Sequence, residues 1–275
     1  MTDEQGRRIA AVFDSVAATY DTVGVDWFTP IAAGLVRELA PAAGERAVDI
    51  GCGRGAALYP LAQAVGPTGH VTALDLSAEM VRLTGADVEA RGLRWVDLLV
   101  ADAASPGLPP GTYDLACASL VLFFVHDPVG ALRAWRDLLV PGGRLGISTF
   151  GPRDQVWVDV DALFQPYLPP GMLDPRVRGA TGPYTSDAGV EGLLVEAGFR
   201  EVRTVGSRVT ARFEDGEHWY RWSRSHAQRA MWDRIPPEEL DGVKAAAFAL
   251  LATVAEPSGV ILLTQGIRYT LGERP

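Results

Sequence analysis

Cysteine, lysine and long apolar runs are all scarce in this sequence. Its 275 residues include two cysteines, Cys52 and Cys117, which are too few for a disulfide framework. Asp and Glu outnumber Lys and Arg by 34 to 25, and the net charge of −9 argues against nonspecific nucleic-acid binding, which depends on cations that neutralise phosphates. The longest uncharged apolar stretch, 245–255, is far shorter than the roughly 20 residues that a membrane helix needs.

Two further absences narrow the chemistry, and the N-terminal sequence indicates a location. No G-x-x-x-x-G-K-[ST] motif occurs, which excludes a P-loop. No group of His, Asp and Glu has metal-ligand spacing, so we expect metal-independent chemistry. The apolar run that follows Arg7 and Arg8 is interrupted at Asp14 and is too short for a signal peptide, so we expect a soluble cytoplasmic protein.

Hydrophobic periodicity divides the chain into three parts. Residues 1–45 have apolar residues at helical spacing and predict an N-terminal helical cap. Residues 46–151 alternate short apolar strands with helical segments, which predicts a parallel sheet covered by helices on both faces. The predicted strands in this part are 47–50, 70–75, 93–101, 113–119 and 143–150, and the predicted helices are 56–65, 78–91 and 129–139.

The composition changes after residue 151. Residues 152–275 are expected to complete the sheet, with strands over 201–212 and 260–271. Two segments interrupt this pattern, at about 152–183, rich in Pro and Gly, and at about 214–256, which begins with many aromatic and Arg residues. We expect both to be insertions on the ligand side of the sheet that form a substrate lid.

The segment from Asp49 to Gly55 carries the most specific signal. Asp49 precedes a loop in which Gly51, Gly53 and Gly55 alternate, and a helical run follows. Glycine lets a ligand approach the backbone closely, and the free N–H groups at a helix start can bind it. The loop also satisfies the G-x-G-x-x-A pattern of dinucleotide sites. Because the Asp49 carboxylate would repel a pyrophosphate and attract a cation, the loop favours a ligand with a positive end.

Two more carboxylates follow at the ends of the next two predicted strands. Asp75 lies 20 residues after Gly55, where an acid can hold the ribose hydroxyls of an adenosine in either NAD or an adenosyl sulfonium. Its alternative role is to cap the following helix, but Ser77 can fill that role. Asp102 ends the third strand, where it can accept a hydrogen bond from an adenine amino group or serve as an ordinary loop residue.

Taken in order, these motifs resemble the class I S-adenosylmethionine-dependent methyltransferases. The resemblance covers about residues 10–150, and the segment from Phe13 to Asp21 is similar to the branch that includes ubiquinone, menaquinone and natural-product enzymes. It implies S-adenosylmethionine as cofactor and a Rossmann-like, seven-stranded, mostly parallel α/β sheet. It rests on Asp49-Ile-Gly-Cys-Gly-Arg-Gly55, Asp75-Leu-Ser-Ala-Glu-Met80, Ala101-Asp102-Ala103, Tyr113-Asp114 and Leu139-Val-Pro-Gly-Gly143.

The resemblance also implies a role for each matching residue. Asp49 would hold the methionine ammonium, and Asp75 would bind the ribose. The three loop glycines would let the backbone pass the methionine chain, with Cys52 on the same loop. The other implied cofactor contacts are Leu76 and Met80 beside the adenine, Asp102 and Ala103 at the adenine edge, Ser119 near the sulfonium, and Tyr20 closing over the cofactor.

The acceptor side departs from the branch after the fourth strand. Where the branch often has a histidine pair, this chain has Phe123 and Phe124, which suggests an apolar contact near the methyl group; His126 is interpreted as structural. We expect the acceptor pocket to be walled by Trp27, Phe28, Phe123, Tyr184, Trp219 and Trp222.

A base and an anion site are predicted in the second lid segment. On a helix, His218, Trp222 and His226 would share one face, and His226 is the first choice for a general base. The alternative is an ordinary amphipathic lid helix with its aromatics in the core. Arg224 and Arg229 are candidates for binding an anionic group of the acceptor, since arginine presents forked donors; the alternative is a solvated helix face.

The sequence thus predicts an enzyme that transfers a methyl group from S-adenosylmethionine to O, C or N of a small, apolar or partly anionic metabolite, by metal-independent in-line displacement. Neither nucleic acid nor membrane is expected as a partner, and a monomer or a homodimer is open. Two alternatives remain: a cofactor-binding member repurposed for another reaction such as a cyclisation, and an NAD-dependent oxidoreductase.

Overall fold

A single mixed sheet organises the computed structural model, which describes residues 4–168 and 182–275. Seven strands of these residues form it, in the order β3-β2-β1-β4-β5-β7-β6. All neighbours are parallel except the last strand in the chain, which runs antiparallel to both of its partners. The predicted sheet is confirmed. Its strands are Arg46–Ile50 (β1), His70–Asp75 (β2), Val96–Val100 (β3), Tyr113–Ser119 (β4), Leu139–Arg153 (β5), Arg200–Phe213 (β6) and Ile261–Glu273 (β7).

Helices surround the sheet and pack against most of its strands. The third and fourth helices contact β1 to β3, and the second helix contacts β4, β5 and β7. The helices of the described residues are Glu4–Val16 (α1), Phe28–Leu39 (α2), Leu58–Val65 (α3), Ala78–Ala90 (α4), Pro128–Leu138 (α5), Gln155–Ala162 (α6), Asp187–Glu196 (α7), Gly216–Arg224 (α8), Arg229–Trp232 (α9) and Pro237–Ala252 (α10).

The core lies on both sides of the central strands. In β1 every residue from Ala47 to Ile50 is fully buried, and most of β2 and β4 is buried as well. This burial explains why the central strands read as continuous apolar runs rather than as alternating ones. At the sheet edge, β3 begins at Val96, three residues later than predicted, and Leu99 and Val100 are exposed.

The second lid segment does not carry His218, Trp222 and His226 on one continuous helix. Helix α8 ends at Arg224, so His218, Trp222 and His226 do not lie along one helix face. Near this end the hydroxyls of Ser223 and Ser225 donate to the carbonyls of Tyr220 and Trp222, and such side-chain bonds compete with helix continuation. The turn nevertheless brings the His226 ring to 4.5 Å from that of Trp222, measured between centroids.

The remaining lid elements pack around a group of tryptophans. Trp157 of α6, Trp222 of α8 and Trp27 form mutual ring contacts at 5.4 to 5.7 Å. Part of the first predicted lid segment, 169–181, lies outside the described residues. Among the helices of the described residues, none is both long and apolar enough to cross a bilayer.

Candidate active site

One large cavity opens at the carboxyl ends of β1, β2 and β4. Ligands of open α/β sheets bind at this edge, where the strand order reverses; here the reversal lies between β1 and β4. The cavity has a volume of about 1790 Å³. A single small-molecule site occupies roughly 300–1,000 Å³, so this cavity can hold two ligands side by side. Its lining includes these predicted cofactor contacts: Tyr20, Asp49, Gly51, Cys52, Gly53, Gly55, Asp75, Leu76, Asp102, Ala103 and Ser119.

Asp49 is a buried carboxylate without a counter-charge. It is fully buried, and neither carboxylate oxygen has a hydrogen-bond partner of normal geometry in the described part of the chain. Burial, reinforced by the nearby Asp75 carboxylate, raises the pKa of Asp49 to about 8, against a small opposing effect of the Leu58 amide. An unpaired buried charge costs several kcal/mol. A cationic group bound in front of the loop would remove much of that cost.

Asp75 is held from two sides and keeps acceptor capacity for a ligand. Its Oδ2 accepts a hydrogen bond from the Gly53 amide at 2.8 Å, and its Oδ1 accepts one from the Ser77 amide at 2.9 Å. Ser77 caps α4 through its hydroxyl, which accepts from the Met80 amide, as the sequence predicted. Burial is the main effect that raises the pKa of Asp75. Since a carboxylate offers about four lone-pair sites, two remain for hydroxyl donors.

The glycine loop requires its glycines for two different reasons. Gly51 has φ +72°, and a Cβ there would lie 2.4 Å from Val121. Gly53 has φ +50°, but a Cβ there would meet no atom within 4 Å. Because Gly53 lines the cavity, the space beside it is the space that a ligand would take. The backbone thus provides a smooth wall that no side chain obstructs.

The other side of the cavity is aromatic. Of the predicted acceptor contacts, Trp27, Phe28, Phe123 and Trp222 line it. Phe28 stacks on Tyr20 at 4.6 Å and meets the His226 ring edge-on at 5.8 Å, so the cofactor-side and acceptor-side aromatics are continuous. Burial and the Asp21 and Asp75 carboxylates raise the pKa of Tyr20 above its ordinary value, so its hydroxyl remains neutral.

His226 lies on the cavity wall between Phe28 and Trp222. Its Nδ1 accepts a hydrogen bond from the Gln228 amide at 3.4 Å. His218, the other histidine of this segment, is held instead by the backbone: its Nδ1 accepts from the Glu214 amide, and its Nε2 contacts the Val23 carbonyl at 2.8 Å. His218 is absent from the described cavity lining, so its contacts give it a structural setting.

Three predicted contacts pack behind the cavity wall rather than on it. Met80 packs against Val16 and Ala17 of the α1 end, because the first turn of α4 points toward α1. Tyr184 lies behind Phe123 and donates to the Leu122 carbonyl at 3.3 Å. Trp219 is fully buried against Trp232 and is absent from the described cavity lining.

The two predicted anion-binding arginines are engaged elsewhere. Arg224 pairs with Asp233 at 2.9 Å, and Arg229 pairs with the same carboxylate at 3.4 Å. The Arg229 Nη1 also donates to the Ser15 carbonyl at 3.2 Å. Neither side chain belongs to the described cavity lining. Asp233 follows α9 directly, and this helix brings its carboxylate back to Arg224, nine residues earlier in the chain.

Four residues of the wall are not among the predicted site residues. Leu120 follows β4 with φ +60°, a conformation that costs a non-glycine residue energy and is concentrated at functional sites. The Leu120 amide donates to the Ser148 hydroxyl at 3.0 Å, and no sequence pattern indicates that Leu120 adopts this conformation.

Asp21 has φ +58° and a pKa raised to about 6 by burial. Gln228 and Arg234 complete the set, and Arg234 has no ion pair among the described residues.

Comparison with known proteins agrees with this geometry. A family described as a methyltransferase domain matches residues 48–147. The chain is 32% identical over 271 residues to nocamycin O-methyltransferase of Saccharothrix syringae. That alignment covers 95% of this chain and 96% of the relative. It is 38% identical over 168 residues to aklanonic acid methyltransferase of Streptomyces sp. (strain C5), covering 61% of this chain and 76% of the relative.

The fold is shared with solved structures as well. Phosphoethanolamine N-methyltransferase 2 of Haemonchus contortus, solved with S-adenosyl-L-methionine, superposes with a TM-score of 0.58 at 15% identity, covering 95% of this chain and 57% of that one. The orphaned Asp49 carboxylate, the unobstructed backbone at Gly53 and the half-free Asp75 fit the ammonium, chain and ribose of that cofactor. The chain belongs to the class I S-adenosylmethionine-dependent methyltransferases. It is therefore a methyltransferase.

Proposed function

We propose that this enzyme methylates an oxygen atom of a small, mainly apolar natural product that carries an acidic group. The continuous cavity carries the proposal, because it joins a carboxylate-rich half beside the glycine loop to an aromatic half around Phe28 and Trp222. The names of two relatives support an oxygen acceptor and an acidic substrate, respectively.

In this proposal the carboxylate-rich half holds the methyl donor. Asp49 binds the ammonium, Asp75 the ribose, and the Asp102–Ala103 turn the adenine edge, where the Asp102 Oδ1 is fixed by the Ala104 amide at 2.9 Å. Ser119 faces the reacting side, and its hydroxyl is fixed by Ser148 at 3.0 Å. Bound S-adenosylmethionine supplies an electrophilic sulfonium methyl. The protein needs only to align the acceptor with it and to exclude water, since orientation alone can supply about 7–11 kcal/mol.

The aromatic half holds the acceptor. Trp27, Phe28, Phe123 and Trp222 offer flat apolar surfaces, and the imidazole of His226 lies beside Phe28 and Trp222. We place His226 against the reacting oxygen, as a base if that oxygen carries a proton. Arg234, which lines the cavity, replaces Arg224 and Arg229 as the candidate partner of an acidic group.

The domain division is part of the same proposal: residues 1–45 form a cap, 46–151 the cofactor-binding core, and 152–275 the acceptor side. The −9 charge makes a nucleic-acid acceptor a poor match for this cavity.

An acceptor screen tests the proposed function. The enzyme is incubated with methyl-labelled S-adenosylmethionine and a panel of polycyclic phenols, aromatic carboxylic acids and amines, and products are identified by mass and by alkaline hydrolysis. Label recovered as methyl ether or methyl ester supports oxygen transfer. Alkaline hydrolysis distinguishes these two products, because only the ester releases methanol in alkali. Transfer exclusively to nitrogen or carbon would overturn the oxygen assignment. Arg234→Ala is compared with Arg229→Ala, and a rise in acceptor KM only for the former supports Arg234.

A further inference from the structure

Asp14, on the last turn of α1, joins the N-terminal cap to the cofactor half of the site. Its Oδ1 accepts a hydrogen bond from the Ser77 hydroxyl at 2.5 Å and another from the Glu79 amide at 3.1 Å. Both donors belong to the start of α4. A carboxylate from a distant helix thus helps to satisfy the free N–H groups of this helix end, where negative charge is favourable.

The same hydrogen bonds continue to the glycine loop. Ser77 is fully buried, and its amide donates to Asp75 Oδ1 at 2.9 Å. Asp75 Oδ2 in turn accepts from the Gly53 amide at 2.8 Å. An unbroken line of hydrogen bonds therefore runs from Asp14 through Ser77 and Asp75 to Gly53.

This line determines how the Ser77 hydroxyl is used. Its single proton goes to Asp14, so its lone pairs face the Met80 amide at 3.1 Å. With the hydroxyl fixed at both ends, the Ser77 backbone and its N–H are held in place against Asp75. If Asp14 is removed, the Ser77 hydroxyl loses its acceptor and the 75–77 turn loses one of its restraints.

We propose that Asp14 is a positioning residue for the cofactor: it holds Ser77, and through Ser77 it orients the Asp75 carboxylate toward the ribose hydroxyls. The inference rests on the proposed ribose role of Asp75. The arrangement has an electrostatic cost, because the Asp14 charge lies close enough to disfavour ionisation of Asp75. The contact with the positive end of α4 offsets that cost.

The position of Asp14 is fixed from the acceptor side too. The carbonyl of the adjacent Ser15 accepts from Arg229 at 3.2 Å, and Phe13 packs edge-on against Phe124 at 5.5 Å. The end of α1 is therefore held at three points around the cavity, and Asp14 makes the contact that leads to the proposed ribose site.

Isothermal titration of S-adenosylhomocysteine against the 275-residue chain tests the proposal. We expect Asp14→Ala to raise the Kd about tenfold, which corresponds to about 1.4 kcal/mol. Asp14→Asn keeps an oxygen that can accept from Ser77, so it should restore the Kd to within about threefold of wild type. Ser15→Ala, a neighbouring change that leaves the backbone carbonyl in place, should leave the Kd unchanged.

A second ligand separates positioning from general damage. The 2′,3′-dideoxyribose analogue of S-adenosylhomocysteine lacks the hydroxyls that Asp75 would bind. Asp14→Ala should weaken binding of the natural ligand and leave binding of the analogue as in wild type. Equal loss for both ligands would show a merely structural role and overturn the proposal, as would an unchanged Kd for the natural ligand.

Asp75→Ala serves as the reference for the function on which the inference rests. If this variant binds S-adenosylhomocysteine as wild type does, the ribose assignment of Asp75 fails, and the proposed role of Asp14 is rejected with it. If Asp75→Ala weakens binding and Asp14→Ala does not, the ribose assignment stands and only the role of Asp14 is rejected.

Discussion

The carboxylates of Asp49 and Asp75 lie on neighbouring parallel strands, and the second raises the pKa of the first. Asp49 pairs in register with Ala73, two residues before Asp75, so both acids reach the same edge of the sheet. Burial and this proximity bring the pKa of Asp49 to about 8. A fold that buries two acids at one edge, with no counter-charge among the described residues, favours a cationic ligand there, and binding of such a ligand has a measurable pH dependence.

Binding of S-adenosylhomocysteine should strengthen as the pH rises from 6 toward 8. The free protein holds a proton on Asp49 below pH 8, whereas a bound ammonium favours the carboxylate, so binding releases that proton. We expect the Kd to fall by up to about tenfold per pH unit in this window. Titration calorimetry in buffers of different ionisation enthalpy measures the released proton. Asp49→Asn provides the control, and an equal pH slope in that variant would contradict this origin.

The substitution Asp49→Asn should also stabilise the free protein against unfolding. In the native state Asp49 keeps its proton up to about pH 8, whereas in the unfolded chain it ionises near pH 4. The native state therefore holds more protons between these values, and stability falls as the pH rises through that window. At pH 8 we expect Asn at position 49 to raise the free energy of unfolding by roughly 1–3 kcal/mol.

Urea unfolding at pH 4.5 and pH 8 measures this gain, which should be small at the lower pH. A variant that is less stable than wild type at pH 8 would show that Asp49 makes a favourable interaction in the free enzyme.

Alanine at Gly51 should mainly lower the stability of the fold, whereas alanine at Gly53 should mainly weaken ligand binding. At Gly51 the new Cβ would collide with Val121, so we expect Gly51→Ala to destabilise the fold by about 2–4 kcal/mol, with partial rescue by Val121→Ala. At Gly53 the fold has room, and the cost should be about 1 kcal/mol from the positive φ alone. Yet the added methyl occupies cofactor space, so Gly53→Ala should weaken S-adenosylhomocysteine binding more than tenfold. Thermal unfolding and calorimetry separate the two effects.

The role of His226 depends on the acidity of the acceptor. A phenol has a pKa near 10 and must lose a proton, whereas a carboxylic acid with a pKa near 4 is already ionised at neutral pH. With a phenolic acceptor, His226→Gln should lower kcat by about 10²–10³-fold. With a carboxylic acceptor it should change kcat by less than about fivefold. His218→Gln, which alters a histidine outside the described cavity lining, is the matched comparison. Equal losses with both acceptors would indicate positioning rather than proton removal.

The cofactor half of the site was largely predictable from the sequence. Asp49, Gly53 and Asp75 lie at strand ends, and parallel strands bring their carboxyl ends to one edge whatever the details of packing. The capping role of Ser77 was predictable because it depends on three neighbouring residues only. The seven-stranded, mostly parallel sheet is confirmed, since the alternation of strands and helices leaves few possible topologies.

The acceptor half was not predictable to the same degree. Trp219 and Trp222 are three residues apart on one helix, and which of them faces the cavity depends on how α8 packs on its neighbours. Arg224 and Arg229 were candidates for a ligand because arginine presents forked donors, but in the fold both pair with Asp233. The contact of Asp14 with Ser77 joins residues 63 positions apart, and no local pattern indicates it.

The residues proposed to bind the methyl donor and many of those proposed to bind the acceptor lie far apart in the sequence, although they meet at one cavity where the strand order reverses between β1 and β4. The proposed donor-binding residues outside the N-terminal cap come mostly from one continuous stretch, 49–103, whereas His226, Gln228 and Arg234 come from a segment more than a hundred residues later. Substitutions in the late segment can reshape the acceptor surface while the first three strands keep their hydrogen bonds. In this architecture, changes in the late segment can therefore alter the acceptor surface while the proposed donor site is retained, whereas Trp27, Phe28 and Phe123 tie the rest of the acceptor wall to the first half of the chain.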